Sequence, residues 1–192
     1  KNGDKVVVIV KEWIVGRDAP NGKIIKSIGM PGETETEIHA ILHEYGLPYV
    51  FPKGVDEEAE QLKKEIDKKE LKRRRDFRKV TTITIDPVNA KDFDDALSLK
   101  IIEEDLFEIG IHIADVSHYL KESSLMEKEA YERGTSVYLV DRVVPMLPEK
   151  LSNELCSLIE KEEKYTFSAV FLMNNKSEVL NEWYGKTVIK SD

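Results

Sequence analysis

The 192-residue sequence predicts an α+β fold in which a small β unit is followed by a larger domain built on a mixed sheet. Three features carry that reading. Short β-branched runs interleave with helical patterns, the break "LPYVFPKG" interrupts them near residue 50, and a hydrophobic content of 41% is enough to fill a substantial core. The boundaries implied are 1–50 for the β unit, 51–79 for a connecting helix and 80–192 for the sheet domain. Internal repeats and low-complexity tracts are absent from the sequence.

"DKVVVIVKEWIV" reads as a first strand and, after the turn "APNG", "KIIKSIG" as a second. Ile38, Ile41, Leu42 and Tyr45 then follow the i, i+3, i+4, i+7 spacing of an amphipathic helix, and Gly46 supplies its stop. From Asp56 to Arg75 the chain starts acidic and ends basic, complementing a helix dipole, with Ala59, Leu62 and Ile66 as a narrow apolar stripe. "VTTITID" and "DALSLKII" read as strands entering and leaving an aspartate cluster, and "LFEIGIHIAD" as a third, its Ile109, Ile111 and Ile113 on one face. Ser124 and Glu127 form a capping box for a helix closing at Gly134. A strand "TSVYLV", a turn "VPMLP", a short helix "EKLSNELCSL" and two late strands, "YTFSAVFLM" and "VLNEWYGKTVI", complete the pattern.

Lys and Arg total 29 against 37 acids, a net charge of −8, which argues against a protein that coats duplexes through overall basicity. The charge is uneven. Gln61 to Lys79 holds ten Lys or Arg and four acids, a local balance of +6, leaving −14 for the remainder. The single cysteine, Cys156, excludes an internal disulfide and a cysteine-pair zinc site, and suits a cytoplasmic location. No apolar run is long enough for a membrane span, and the opening "KNGDKVVVIVKEW" lacks the architecture of a signal peptide. With no initiator methionine and a start just ahead of a strand, the chain is expected to be a piece of something longer.

"DPVNAKDFDD", residues 86–95, places four aspartates in ten positions with Lys91 as the only local counter-charge. Asp86 and Asp92 would lie about 20 Å apart along a straight strand, so they converge only if the chain folds back, and Pro87 and Asn89 supply turn chemistry for that bend. Two carboxylates 4 Å apart repel by about 1 kcal/mol in water and about 4 kcal/mol at an effective dielectric of 20, so four in a partly dry pocket call for a cation. Oxygen-only ligands with no cysteine nearby in sequence favour magnesium, or manganese, over zinc. The alternative is that the aspartates are turn formers and caps.

Other motifs fail. A calcium loop begun at Asp92 has Ala96 and Leu97 where a ligand and a glycine are required. "GKT" at 185–187 has Leu180 in place of the phosphate loop's first glycine, and "RGTSVYL" has Tyr138 in place of the second glycine of a nucleophile elbow. His39 and His43 have helical zinc spacing without a glutamate or third ligand, which leaves a solvated helix face as the reading.

"TIDPVNAKDFDDALSL", "IGIHIADVSHYL" and "YERGTSVYLVDRVVPMLPEKLSNELCSL" closely resemble the opening of the catalytic RNB domain of the ribonuclease II and ribonuclease R family. "GKIIKSIGMPGETETEIHAILHEYGLPYVFP" resembles the end of the second cold-shock (OB-fold) domain preceding it. The resemblance implies a magnesium-dependent 3′-to-5′ exoribonuclease releasing nucleoside 5′-monophosphates from single-stranded RNA, without an obligate protein partner. By position, Asp86, Asp92, Asp94 and Asp95 would be active-site aspartates, Asp86 and Asp95 as direct metal ligands and Asp92 and Asp94 directly or through water.

Tyr138 matches the family's aromatic that stacks near the 3′-terminal nucleotide, and Val137 and Leu139 share the opposite face of its strand; an ordinary core or surface tyrosine is the alternative. Lys72, Arg73, Arg74, Arg75 and Arg78 would touch RNA backbone at a channel mouth, or else form a solvated cationic face. His112 and Asp115, in the family's "HIAD" segment, are assigned structural support. Where the family commonly reads "LCSLNP", Leu158 is followed by Ile159 and Glu160. The chain also stops short of the family's downstream arginine, acidic residue, second aromatic and S1 domain, and lacks the first cold-shock domain, so it is expected to be inactive or nearly so by itself. A non-catalytic RNA-binding regulator on the same scaffold is the alternative, and a cold-shock-type module with structural aspartates a weaker one.

Overall fold

The computed structural model describes residues 2–16, 18–88, 90 and 92–192. Asn89 and Lys91, the expected bend former and counter-charge, lie outside the described residues. The chain divides into two compact units, one made of 1–50 with 137–144 and the other of 51–136 with 145–192.

In the first unit β1 (Lys5–Glu12) and β2 (Asn21–Gly29) pair antiparallel, from Lys5 opposite Gly29 to Glu12 opposite Asn21. α1 (Thr34–Glu44) begins three residues before the predicted helix and ends where Gly46 takes φ +67°, a left-handed conformation natural to glycine. Its histidines are not simply solvated. His39 stacks on Tyr49 with ring centroids 4.5 Å apart, and His43 meets the same ring edge-on at 5.7 Å. "TSVYLV" yields only β7 (Val137–Tyr138), which closes a short hairpin with β8 (Val143–Val144). Arg142, beside that hairpin, makes a two-pronged bond to Glu35 of α1 at 2.6 and 2.8 Å.

In the second unit the single connecting helix is replaced by α2 (Val55–Glu60), α3 (Lys68–Leu71) and the two-residue strand β3 (Arg75–Asp76). Tertiary anchors override the helical periodicity between them. Leu62 and Ile66 pack into the core, the Asp67 amide donates to the Tyr165 hydroxyl at 2.7 Å, and the Asp67 carboxylate caps a new helix at the Lys69 amide. Strand 80–86 likewise shrinks to β4 (Thr82–Ile83), which pairs with β5 (Asp95–Glu103) only at Ser98 and Leu97. β6 (Leu106–Ala114), β9 (Glu163–Asn174) and β10 (Val179–Lys190) form where predicted, giving the sheet order β3-β10-β9-β6-β5-β4 with β3 parallel and the other neighbours antiparallel. α5 (Leu125–Arg133) is capped by the Ser124 hydroxyl, while Ser124's own amide goes to Lys121, so only half of the predicted box forms. α4 (Val116–Tyr119) was not foreseen, and "EKLSNELCSL" winds as a π-helix over Lys150–Cys156.

The sheet's two faces differ. Ile111 and Ile113, with Leu97, Leu99, Phe167 and Tyr184, lie on its exposed side. The buried side carries a polar ladder: Ser98 and Ser168 bond the two nitrogens of His112 at 2.8 and 2.6 Å, and Ser168 continues to Thr187 and Thr166 at 2.5 Å each. Gly110 admits the ring, since a Cβ there would lie 2.4 Å from the Ser98 hydroxyl and 2.6 Å from His112 Nε2. Thus four strands are laced together by side chains that fully satisfy one another.

Burial pushes the His112 imidazole down to about 4, from an ordinary 6.5. The unfolded chain therefore takes up the proton first, and stability tied to the neutral ring is complete above about pH 6.5 and lost as pH falls toward 4. The loss is about 3 kcal/mol. Urea unfolding of the parent and of His112→Gln, which keeps two hydrogen-bonding atoms but does not titrate, should show a steeper loss between pH 6.5 and 4 in the parent than in the variant, where only His118, also lowered by burial, still titrates in this way.

Candidate functional site

The acidic turn joins β4 to β5. Asp86 lies three residues beyond β4 rather than ending it, and Asp95 begins β5, opposite Ile113. Pro87 accepts from the Ala90 amide at 2.9 Å, the one bend hydrogen bond formed by described residues between the two strands. Phe93 then pegs the chain. Its ring packs against the main core cluster, its amide donates to the Ser157 hydroxyl at 3.1 Å, and its carbonyl accepts from the Leu158 amide at 2.8 Å. The Asp94 carbonyl accepts from the Ala114 amide at 3.0 Å. The departure after Leu158 therefore leaves the contact with the acidic turn intact.

Asp94 is exposed, yet its carboxyl is held above the usual carboxylate range by local desolvation and then by the negative charges of Asp92, Asp95 and Asp86. All four carboxylates thus share one field. Among the described residues no basic side chain pairs with them, and Asp86 Oδ2 is buried without a hydrogen-bond partner. Nor do any three of them meet at chelating distance among the described residues. A buried, unpartnered oxygen in a four-carboxylate field fits a hard divalent cation.

Sequence distance misleads about the cysteine. Cys156, at the end of the π-helix, comes close enough for Asp94 to act on its thiol. Burial foremost, opposed by Lys164 and reinforced by Asp94 and Asp115, pushes that thiol up to about 12. It stays protonated at neutral pH.

The basic run divides by role. Arg73 is exposed, and Arg75 reaches Glu108 while lying 5.2 Å over Trp183, so both remain near the surface. Arg74 turns inward. Its side chain is fully buried, bonded to Glu70 at 2.9 Å, Asp115 at 2.7 Å and the carbonyls of Thr166 and Thr187 at 3.3 and 3.2 Å, and stacked 4.3 Å over Tyr165. Burial opposes ionisation of Asp115, but hydrogen bonds from Ser117 and Arg74 outweigh it and hold the carboxyl below its usual value. In the other unit Tyr138 is 70% exposed, neither core nor capped by another ring. Ser157, Leu158 and Ala114, which hold the turn from outside it, had no signal in the local sequence.

A family profile described as RNB domain matches residues 74–192, and one described as Cold shock domain matches residues 1–52. The chain is 43% identical over 184 residues to DIS3-like exonuclease 2 of Xenopus tropicalis, covering 95% of this chain and 22% of that protein. It is 38% identical over 191 residues to ribonuclease R of Aquifex aeolicus, covering 100% and 27% respectively. Among solved structures, Mycoplasma genitalium RNase R in complex with double-stranded RNA matches with a TM-score of 0.89 at 27% identity, over 99% of this chain and 34% of that one. The chain thus spans about a quarter of the length of the curated relatives it matches.

Removing one of the four like charges should relieve repulsion in the metal-free chain. Asp94→Asn is expected to raise its thermal stability by on the order of 1 kcal/mol and to abolish any further gain on adding magnesium, measured by calorimetric melts with and without the ion.

Proposed function

Because the chain belongs to the RNB-domain family, with a cold-shock domain ahead of it, we propose that it carries the acidic metal-binding segment of a 3′-to-5′ exoribonuclease that hydrolyses single-stranded RNA to nucleoside 5′-monophosphates. The observation behind this is the buried, unpartnered Asp86 Oδ2 on an acidic turn where Asp94 feels three further carboxylates. Asp86 and Asp95 would ligate magnesium directly, and Asp92 and Asp94 directly or through water, with manganese the alternative ion. Held there, an ion would supply polarisation of the phosphodiester, activation of water and stabilisation of the leaving oxygen.

The remaining roles belong to the chain's own side chains. The exposed Tyr138 offers a base-stacking face, which contributes about 1 to 3 kcal/mol per base whatever the base, so little sequence preference is expected. Arg73, Arg75, Lys72 and Arg78 would neutralise backbone phosphates; Arg74 is withdrawn from that set because its donors are taken inside the fold. Since the chain spans about a quarter of its relatives' length, turnover is proposed for a polypeptide carrying the complete domain.

The test incubates 5′-labelled single-stranded RNA with that polypeptide, with magnesium or EDTA, beside Asp95→Asn. Metal-dependent shortening from the 3′ end, lost in Asp95→Asn while RNA binding survives, is the expected result. Binding without shortening would instead identify a non-catalytic RNA-binding regulator, and loss of binding would remove both readings.

A further inference from the structure

We propose that Ser157 is a positioning residue of the acidic turn, setting the projection of Asp92 and Asp94 before any ion arrives; the inference rests on the metal reading above. Phe93, between those two aspartates, is held at three points: its ring in the core, its amide on the Ser157 hydroxyl and its carbonyl on the Leu158 amide. The peg therefore fixes the backbone between the two aspartates, and with it the points from which both carboxylates project. Ser157 is fully buried, and its neighbours Leu155, Cys156 and Leu158 are nearly so, which gives the hydroxyl a rigid mount. That mount is secured in turn: the buried Lys164 ammonium donates to the Glu154 carbonyl of the π-helix and pairs with Glu162 at 2.9 Å.

The Ser157 hydroxyl therefore opposes a specific force. Repulsion among the four carboxylates strains the turn, and without the hydroxyl the Phe93 amide loses its protein partner, leaving the Phe93 ring and the bonds from Leu158 and Ala114 to retain the segment. Ligating carboxylates depend on such outer partners, whose loss weakens metal affinity by about 10- to 100-fold. Ser157→Ala removes one oxygen and leaves the packing otherwise unchanged.

The experiment measures Mn²⁺ affinity of the 192-residue chain by calorimetry and amide exchange at Phe93 by NMR, in the parent, Ser157→Ala and Met126→Ala. Met126 lies in a separate cluster with Val55 and Ala59, so its truncation lowers stability without touching the turn. Ser157→Ala should weaken Mn²⁺ binding by about tenfold and accelerate Phe93 exchange well beyond that of β6 amides, with Met126→Ala affecting neither selectively. Parent-like affinity in Ser157→Ala, or an equal loss in Met126→Ala, overturns the positioning role. A parent chain without Mn²⁺ affinity refutes the metal reading, and with it the role in presenting ligands; Phe93 exchange then still reports whether the peg itself exists, and unchanged exchange in Ser157→Ala disproves it.

Discussion

Arg74 reaches from the end of the connecting segment into the larger unit, where its guanidinium joins the carbonyls of two adjacent strands, β9 and β10, to the carboxylates of Asp115 and Glu70. A buried charge is tolerable only when its donors are used and an opposite charge is close, and both conditions hold here, with His118 Nδ1 3.4 Å from Arg74 Nη2 as the fifth contact. The same two carbonyl-bearing residues, Thr166 and Thr187, extend through their hydroxyls to Ser168, His112 and Ser98. One continuous polar network therefore runs from the basic connector to the strand that opens with Asp95. Its members lie beside the core residues Ala96, Ala114 and Val170, and their hydrogen bonds join the packing in fixing the register of four strands.

The acidic turn is the counterpart of this network, a region in which groups of one sign are crowded without satisfaction. Its strain is borne by backbone bonds at Phe93 and Asp94 and by the Phe93 ring in the core. Functional sites commonly give up stability in this way, with the supporting structure overdetermining a geometry that the site itself disfavours. The extended strand start at Asp95 and the anchored Phe93 together limit how far the carboxylates can relax.

Where the decisive interactions are local, the sequence was readable. The alternation in β5 and β6, the Ser124 cap, the Gly46 stop and the density of aspartates at 86–95 each follow from spacing of a few residues. What was not readable depended on distant partners. Asp67 starts a new helix because Tyr165 holds its amide, so the predicted connecting helix breaks; β4 stops at Ile83 because pairing with β5 reaches no further. Arg74 was indistinguishable from Arg73 and Arg75 in a run of like residues, and only the fold decides which of three successive arginines turns inward. Ser157 lies 64 positions from Phe93, beyond any local pattern.

The outward side of the large sheet, with Leu97, Leu99, Ile113, Phe167 and Tyr184 in contact with solvent, bears on the thermodynamics of the chain as a whole. Apolar surface already hydrated in the native state is not newly hydrated when the chain unfolds. For the 192-residue chain by itself the heat-capacity increment is accordingly expected toward the low end of the ~12–15 cal/mol/K per residue typical of globular proteins. Its free-energy curve is therefore shallow in temperature, so moderate warming or cooling changes the folded fraction less steeply than in a protein of equal length with both sheet surfaces enclosed.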